Sequence, residues 1–96
     1  MILLPRHTSI VETVDTPLGT VVREDYYQYP RYESNLYLVN SEGKPIWFAE
    51  RAMEEDAFAN QIRVIDDGRI KCASWNGFDC EISLLDGRLT QASFTK

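Results

Sequence analysis

"GRIKCASWNGFDCEISLL", residues 68–85, carries both cysteines of the chain and wraps them around an Asn-Gly pair set between a tryptophan and a phenylalanine. Asn-Gly between alternating apolar residues is the strongest short signal for a β-hairpin, so the register of this stretch decides how the second half of the chain folds. A two-residue type I′ turn at Asn76-Gly77 pairs Trp75 with Phe78, Ala73 with Cys80 and Cys72 with Glu81. Asp67-Gly68, read the same way, pairs Ile65 with Ile70, Arg63 with Cys72 and Ile62 with Ala73. Side chains alternate between the faces of a strand. Both turns therefore gather Ile62, Val64, Ala73, Trp75, Phe78, Cys80, Ile82 and Leu84 on one apolar face, and Gln61, Arg63, Cys72, Ser74, Asp79, Glu81 and Ser83 on the other, with Ile65, Ile70 and Leu85 near the turn ends of that second face. In this register Cys80 enters the core and Cys72 faces away from it, which forbids a disulfide between them. A three-residue loop is expected to put both on one face but as diagonal neighbours.

Outward from this hairpin, all five glycines fall in turn signals: "TPLGT" (16–20), "NSEGK" (40–44), "DDGR" (66–69), "WNGF" (75–78) and "LDGR" (85–88). The runs between them are rich in β-branched and aromatic residues, as in "SIVETV", "GTVVRE", "NLYLVN", "PIWFAE" and "RLTQASF". This predicts a mainly β single domain over residues 1–96, an antiparallel meander of six to eight strands forming a twisted sheet, a sandwich or a small barrel. "ERAMEEDAF" (50–58) is made of good helix formers without a turn residue, so one short helix is expected there. The final strand alternates poorly, which suits a sheet edge.

A three-residue loop at Ser41-Glu42-Gly43 pairs Leu38 with Ile46, Tyr37 with Trp47 and Leu36 with Phe48. Leu36, Leu38, Ile46 and Phe48 then share one face, and Tyr37, Val39, Trp47 and Ala49 the other. Both faces are apolar, so the hairpin needs cover on both sides, from within the chain or from a second copy.

The 96 residues carry a formal charge of −5 and a pI near 4.7. That balance argues against nucleic acid as a partner, because phosphate binding needs an excess of Lys and Arg on some surface. "MILLPRH" (1–7) has an apolar run stopped by Pro5, too short for a signal-peptide core or a membrane span, so the chain reads as cytoplasmic, where paired thiols are normally reduced.

"NLYLVNSEGKPIWFAE" and "CEISLLDGRLTQASFTK" each join an apolar strand, a glycine turn and a further strand, and Gly43 and Gly87 lie 44 residues apart. In this, residues 35–96 resemble the blade repeats of quinoprotein-type and WD-type β-propellers, whose period is about 40–45 residues. No Trp-Asp signature is present, and Gln91 stands where Trp47 stands in the first unit. The resemblance implies a meander architecture alone, with neither a cofactor nor a propeller function inferred from it. The chain also resembles small bacterial proteins.

The single histidine, His7, leaves no basis for a His-based triad or a zinc site of clustered His and Cys, and no C-x-x-C, P-loop or G-x-G-x-x-G occurs. No metal and no cofactor are expected. Asp66 and Asp67 read as turn chemistry, and Glu54, Glu55 and Asp56 as a solvated face. One constellation invites a chemical reading: Arg63 and Glu81 flank Cys72 in the predicted register, with Arg63 favouring the thiolate and Glu81 opposing it.

The stretch most suggestive of binding is "EDYYQYPRYESNLY" (24–37), with Tyr26, Tyr27, Tyr29, Tyr32 and Tyr37 around Pro30 and Arg31. Tyrosine and arginine are enriched at recognition surfaces because they offer large, rigid contact area with a polar tip. With Trp47 they form the expected partner-binding set of a non-catalytic interaction module. A homodimer covering Tyr37, Val39 and Trp47 is the first partner expectation. An acidic immunity-type inhibitor of a basic protein is the second reading. A small enzyme or redox protein using Cys72 is the third.

Overall fold

The computed structural model describes residues 2–95, and within them every regular element is a strand. Strands β1 (Ile10–Thr16), β2 (Gly19–Glu24), β3 (Leu36–Val39) and β4 (Pro45–Phe48) form one antiparallel sheet in chain order. Strands β5 (Arg63–Asp66), β6 (Arg69–Ala73), β7 (Phe78–Ser83) and β8 (Leu89–Phe94) form a second, also in chain order. The sheets do not close into a barrel. One hydrophobic core lies between them, with Val21, Leu36, Leu38, Trp47 and Ala49 on one side and Ile62, Ile70, Cys72, Cys80, Ile82 and Leu84 on the other. The Trp47 indole N–H donates to Leu84 O (2.9 Å), and the Ile62 amide to the Glu12 carboxylate (3.0 Å), so the sheets are also stitched by hydrogen bonds.

The expected helix over residues 50–58 does not form. Asp56 and Phe58 are both buried two residues apart, a spacing that belongs to extended chain, and Glu55 has φ of +62°, which a right-handed helix cannot contain. The segment instead crosses between the sheets, and Phe58 makes an isolated bridge to Ser74. Asn35 anchors it from the first sheet: its amide donates to Glu24 O (2.7 Å) and Phe58 O (2.9 Å), while its oxygen accepts from the Phe58 amide (2.8 Å).

The Asn76-Gly77 hairpin departs from its expected register by one residue. Ser74 and Phe78 close a three-residue loop of Trp75, Asn76 and Gly77, in which Gly77 alone takes positive φ (+93°), so the turn is type I with a glycine bulge and not type I′. The cause is tertiary. Asp56 Oδ1 accepts both the Asn76 amide (3.1 Å) and its side-chain Nδ2 (2.9 Å) and holds Asn76 out of the left-handed region. Every pairing shifts accordingly: Cys72 lies opposite Cys80 and Lys71 opposite Glu81. Both cysteines are buried and free, directly opposed and neither diagonal nor on opposite faces. Trp75 and Val64, expected in the core, are exposed, and Ile70 replaces them. At Asp67-Gly68 an irregularity at Ile65 shifts the ladder, so Arg63 pairs with Lys71 and not with Cys72.

The first-sheet hairpin forms its loop as expected, with Gly43 at φ +81° and the Gly43 and Lys44 amides bonded to Asn40. Beyond it, Pro45 lacks an N–H to donate, and the edge strand bulges at Ile46. That bulge exchanges the faces: Trp47 turns inward with Leu36 and Leu38, and Tyr37 faces Phe48 on the outer side. The outer face is covered over β2 and β3, while Phe48 on the edge strand stays exposed. Val22, Tyr37 and Val39 are buried, with Leu3 of the N-terminal segment and Ile10 of β1 packed against them, so the Tyr37 and Val39 part of the surface expected to carry a homodimer is covered within the chain. Glu24 fastens this cover: its carboxylate accepts the backbone amides of Arg6 (2.7 Å), His7 (3.0 Å) and Thr8 (2.9 Å) and the Tyr37 hydroxyl (2.5 Å).

Candidate functional site

The loop from Asp25 to Asn35 between β2 and β3 is built from two successive turns. Asp25 Oδ1 accepts the Tyr27 amide (3.0 Å), an Asx turn, and the Tyr29 amide bonds to Tyr26 O (3.2 Å). Gln28 then takes φ of +65°, reversing the chain, and the Glu33 amide bonds to Pro30 O (3.1 Å). These turns split the tyrosines. Tyr27 and Tyr32 stand in solvent, at 70% and 71% exposure, and Tyr26 is part-exposed and stacked on Trp75 at 5.3 Å between ring centroids.

Tyr29 and Tyr37 point inward, and so does Trp47, which corrects the expected binding set. Tyr29 packs edge-on against the His7 ring, and its buried hydroxyl finds no hydrogen-bond partner among the described residues. Burial, reinforced by the nearby Glu24 charge, pushes its pKa up to about 12. Burial likewise raises Tyr37, aided by its hydrogen bond to Glu24. Trp47 lies against Gly87, where a Cβ would come within 2.6 Å of the indole. The three residues serve the core.

Around the exposed rings lie two adjoining clefts. One, of about 460 Å³, runs between Tyr32–Ser34 and the segment from Phe48 to Glu54. The other, of about 230 Å³, lies between Tyr26–Arg31 and residues 55–57, with Trp75 at its wall. Together they are lined by the carboxylates of Glu33, Glu50, Glu54, Glu55 and Asp56 against the guanidinium groups of Arg31 and Arg51. Arg31 pairs with Glu55 at 3.6 Å, while Arg51 donates to Arg31 O (2.8 Å) and Asp56 O (3.2 Å) and so ties the two loops together. Trp75 belongs to this face although its alternation suggested the core. The legible hint was its place beside Asn-Gly, in a loop; the hidden one was Asp56, which sets that loop's type.

The constellation around Cys72 is dissolved. Its thiol is buried, donates to Asn60 O (3.1 Å), and is pushed up to about 12 by burial, with Arg23 drawing it down and Glu12 opposing. Arg63 instead pairs with Asp79 on the outer surface, and Glu81 with Arg69 (3.3 Å) and the Thr90 hydroxyl (2.7 Å). A sealed thiol with its ionisation suppressed is a poor nucleophile while the chain stays folded, and neither Arg63 nor Glu81 stands beside it as the candidate constellation requires.

Among the described residues no three His, Cys, Asp or Glu side chains group so as to hold a metal ion, and no helix is long and apolar enough to cross a membrane. Comparison with family models, with curated proteins and with solved structures finds no match. Gly43 and Gly87 sit in the last hairpin turn of the first and second sheet respectively. What the exposed face offers is aromatic area, carboxylates and guanidinium groups, which bind by contact, charge and hydrogen bonding.

Proposed function

We propose that the chain is a non-catalytic protein-interaction module that takes a basic partner protein on the face formed by residues 26–34, 48–57 and Trp75. One observation carries the reading: Tyr26, Tyr27, Tyr32 and Trp75 expose their rings among the four accessible carboxylates of Glu33, Glu50, Glu54 and Glu55 and two arginines. That local ratio is more acidic than the chain's 15 acidic to 10 basic residues. Rigid aromatic anchors supply contact energy at low entropic cost, and the surrounding charge speeds encounter with a positively charged surface. An acidic inhibitor seated on a basic protein fits this pattern. Self-association through Tyr37 and Val39 of the β3–β4 hairpin is less favoured, because Leu3 and Ile10 already pack against those two residues.

The test is photo-crosslinking in cells that make the protein, from a photoreactive residue at Tyr27 and, as control, at exposed Leu85 outside the face. The expected result is an adduct from Tyr27 alone with a protein of basic pI. The purified complex should weaken steeply with salt, and Trp75→Ser should weaken it by about 2 kcal/mol, the cost of losing a hot-spot aromatic. An adduct with a second copy of the chain, an acidic partner, or equal adducts from Leu85 would overturn the reading.

A further inference from the structure

Cys72 and Cys80 are register partners across β6 and β7, and both are free and fully buried. Directly opposed residues in an antiparallel pair stand about 4.5–5.5 Å apart at Cα, within the about 4.4–6.8 Å that a disulfide spans. Both side chains leave the same face of the sheet and enter the same apolar cluster beside Ile70 and Ile82. We propose that Cys72 and Cys80 form a reversible cross-strand disulfide when the chain folds in the presence of a low-molecular-weight disulfide, and that the bond locks the hairpin register.

The chemistry is thiol–disulfide exchange in two steps. One cysteine, as thiolate, attacks the small disulfide RSSR, forming a protein–SR mixed disulfide and releasing RS⁻. The second thiolate attacks the protein sulfur of that mixed disulfide, forms the Cys72–Cys80 bond and releases the second RS⁻. The two protons lost by the cysteines go to the released thiolates, so two protein thiols are oxidised while one RSSR is reduced to two RSH.

The folded core dictates when this happens. Burial pushes Cys72 up to about 12 and Cys80 up to about 11, and a small disulfide has no path to a sulfur with no exposed surface. Exchange therefore belongs to the open hairpin, during folding or a transient opening, and the closed core then preserves whichever state was made. Opposed Cβ atoms start about 4.5–5.5 Å apart, against about 3.5–4.5 Å in a disulfide, so the strands must draw together locally. Bonds held in that way are the readily reduced ones.

The consequence is conformational. The bond fits the three-residue loop, in which Cys72 meets Cys80, and excludes the two-residue Asn-Gly turn, in which Cys80 would meet Ala73 on the opposite alternation. It closes a ring around the loop of Trp75, Asn76 and Gly77, and so fixes the base of the loop that presents Trp75. The proposal stands independently of the partner-binding reading.

The test is refolding of the full chain from denaturant in buffers of oxidised and reduced glutathione, read by intact mass, peptide mapping and circular dichroism. The expected product in oxidised glutathione is a monomer lighter by the mass of two hydrogens, with Cys72 linked to Cys80, a native spectrum and a raised urea midpoint. The already folded dithiol form should acquire the bond at least about tenfold more slowly, as sealed thiols must. Cys72→Ala and Cys80→Ala variants should show no intramolecular bond. Free thiols, persistent glutathione adducts, intermolecular dimers or a bonded product with a lost native spectrum would each overturn the proposal.

Discussion

Glu24 shows how much one side chain can hold. It is buried, yet four donors converge on its carboxylate: three consecutive backbone amides of the N-terminal segment and the Tyr37 hydroxyl. Burial alone would raise its pKa, but the hydrogen bonds from Tyr37 and from the Arg6, Thr8 and His7 amides outweigh it, and the net shift is downward from the ordinary 4.5. A carboxylate depressed in the folded state contributes stability above its unfolded pKa and loses it as pH falls through the folded value. Urea midpoints measured down the acid limb should therefore fall below pH 4.5, the ordinary value. Glu24→Gln should cost roughly 2–3 kcal/mol at neutral pH, the worth of a charged hydrogen-bonding group, and flatten that limb. An acid limb unchanged by Glu24→Gln would place the sensitivity elsewhere. Asp56 makes a comparable argument: Asp56→Ala strands the Ala57 and Asn76 donors and should cost about 3 kcal/mol, while Asp56→Asn, which keeps an acceptor, should recover part of it. Neither residue announced its role in the sequence, because a buried acid is defined by partners far away in the chain. The cysteines were misplaced for the same reason. Asn76-Gly77 alone favours a two-residue turn, and Asp56, twenty residues upstream, converts it.

At the scale of elements, strand existence and turn position were readable, and faces were not. Eight strands, the meander order and the edge position of β8 follow from glycine punctuation and β-rich runs. Faces depend on register parity, and a single bulge reverses it. Pro45 carried a warning, since proline in a sheet belongs at edges and bulges, and the bulge at Ile46 is what turns Trp47 inward. Once inside, Trp47 binds the sheets through Leu84 and lies flat on Gly87. Gly87→Ala puts a methyl 2.6 Å from the indole and an L side chain at φ +76°, so we expect thermal denaturation to show a loss of stability. Overpacking sets the scale at about 2 kcal/mol or more. A neutral Gly87→Ala variant would contradict the placement of Trp47. The missing helix at 50–58 has a similar origin, since its residues favour a helix one by one, but burying Asp56 and Phe58 together demands extended chain.

At the scale of the molecule, the division of the aromatic residues is the point on which the proposed function turns. Tyr29, Tyr37 and Trp47 were consumed in covering and joining the sheets, leaving Tyr26, Tyr27 and Tyr32, with Trp75 added, on an acidic face. Composition made the aromatic recognition stretch legible but could not divide it, because the division rests on Gln28 reversing the chain and on the N-terminal segment closing over Tyr37. The most direct measurement is the rate of nitration at each of the five tyrosines, read by peptide mass, for the free protein and for its complex with the crosslinked partner. Nitration attacks phenolate, which burial suppresses at Tyr29 and Tyr37. We expect Tyr26, Tyr27 and Tyr32 to react in the free protein and to be protected in the complex, with Tyr29 and Tyr37 inert in both. Reaction at Tyr29 or Tyr37 as fast as at Tyr27, or three exposed tyrosines equally reactive in the complex, would contradict the account.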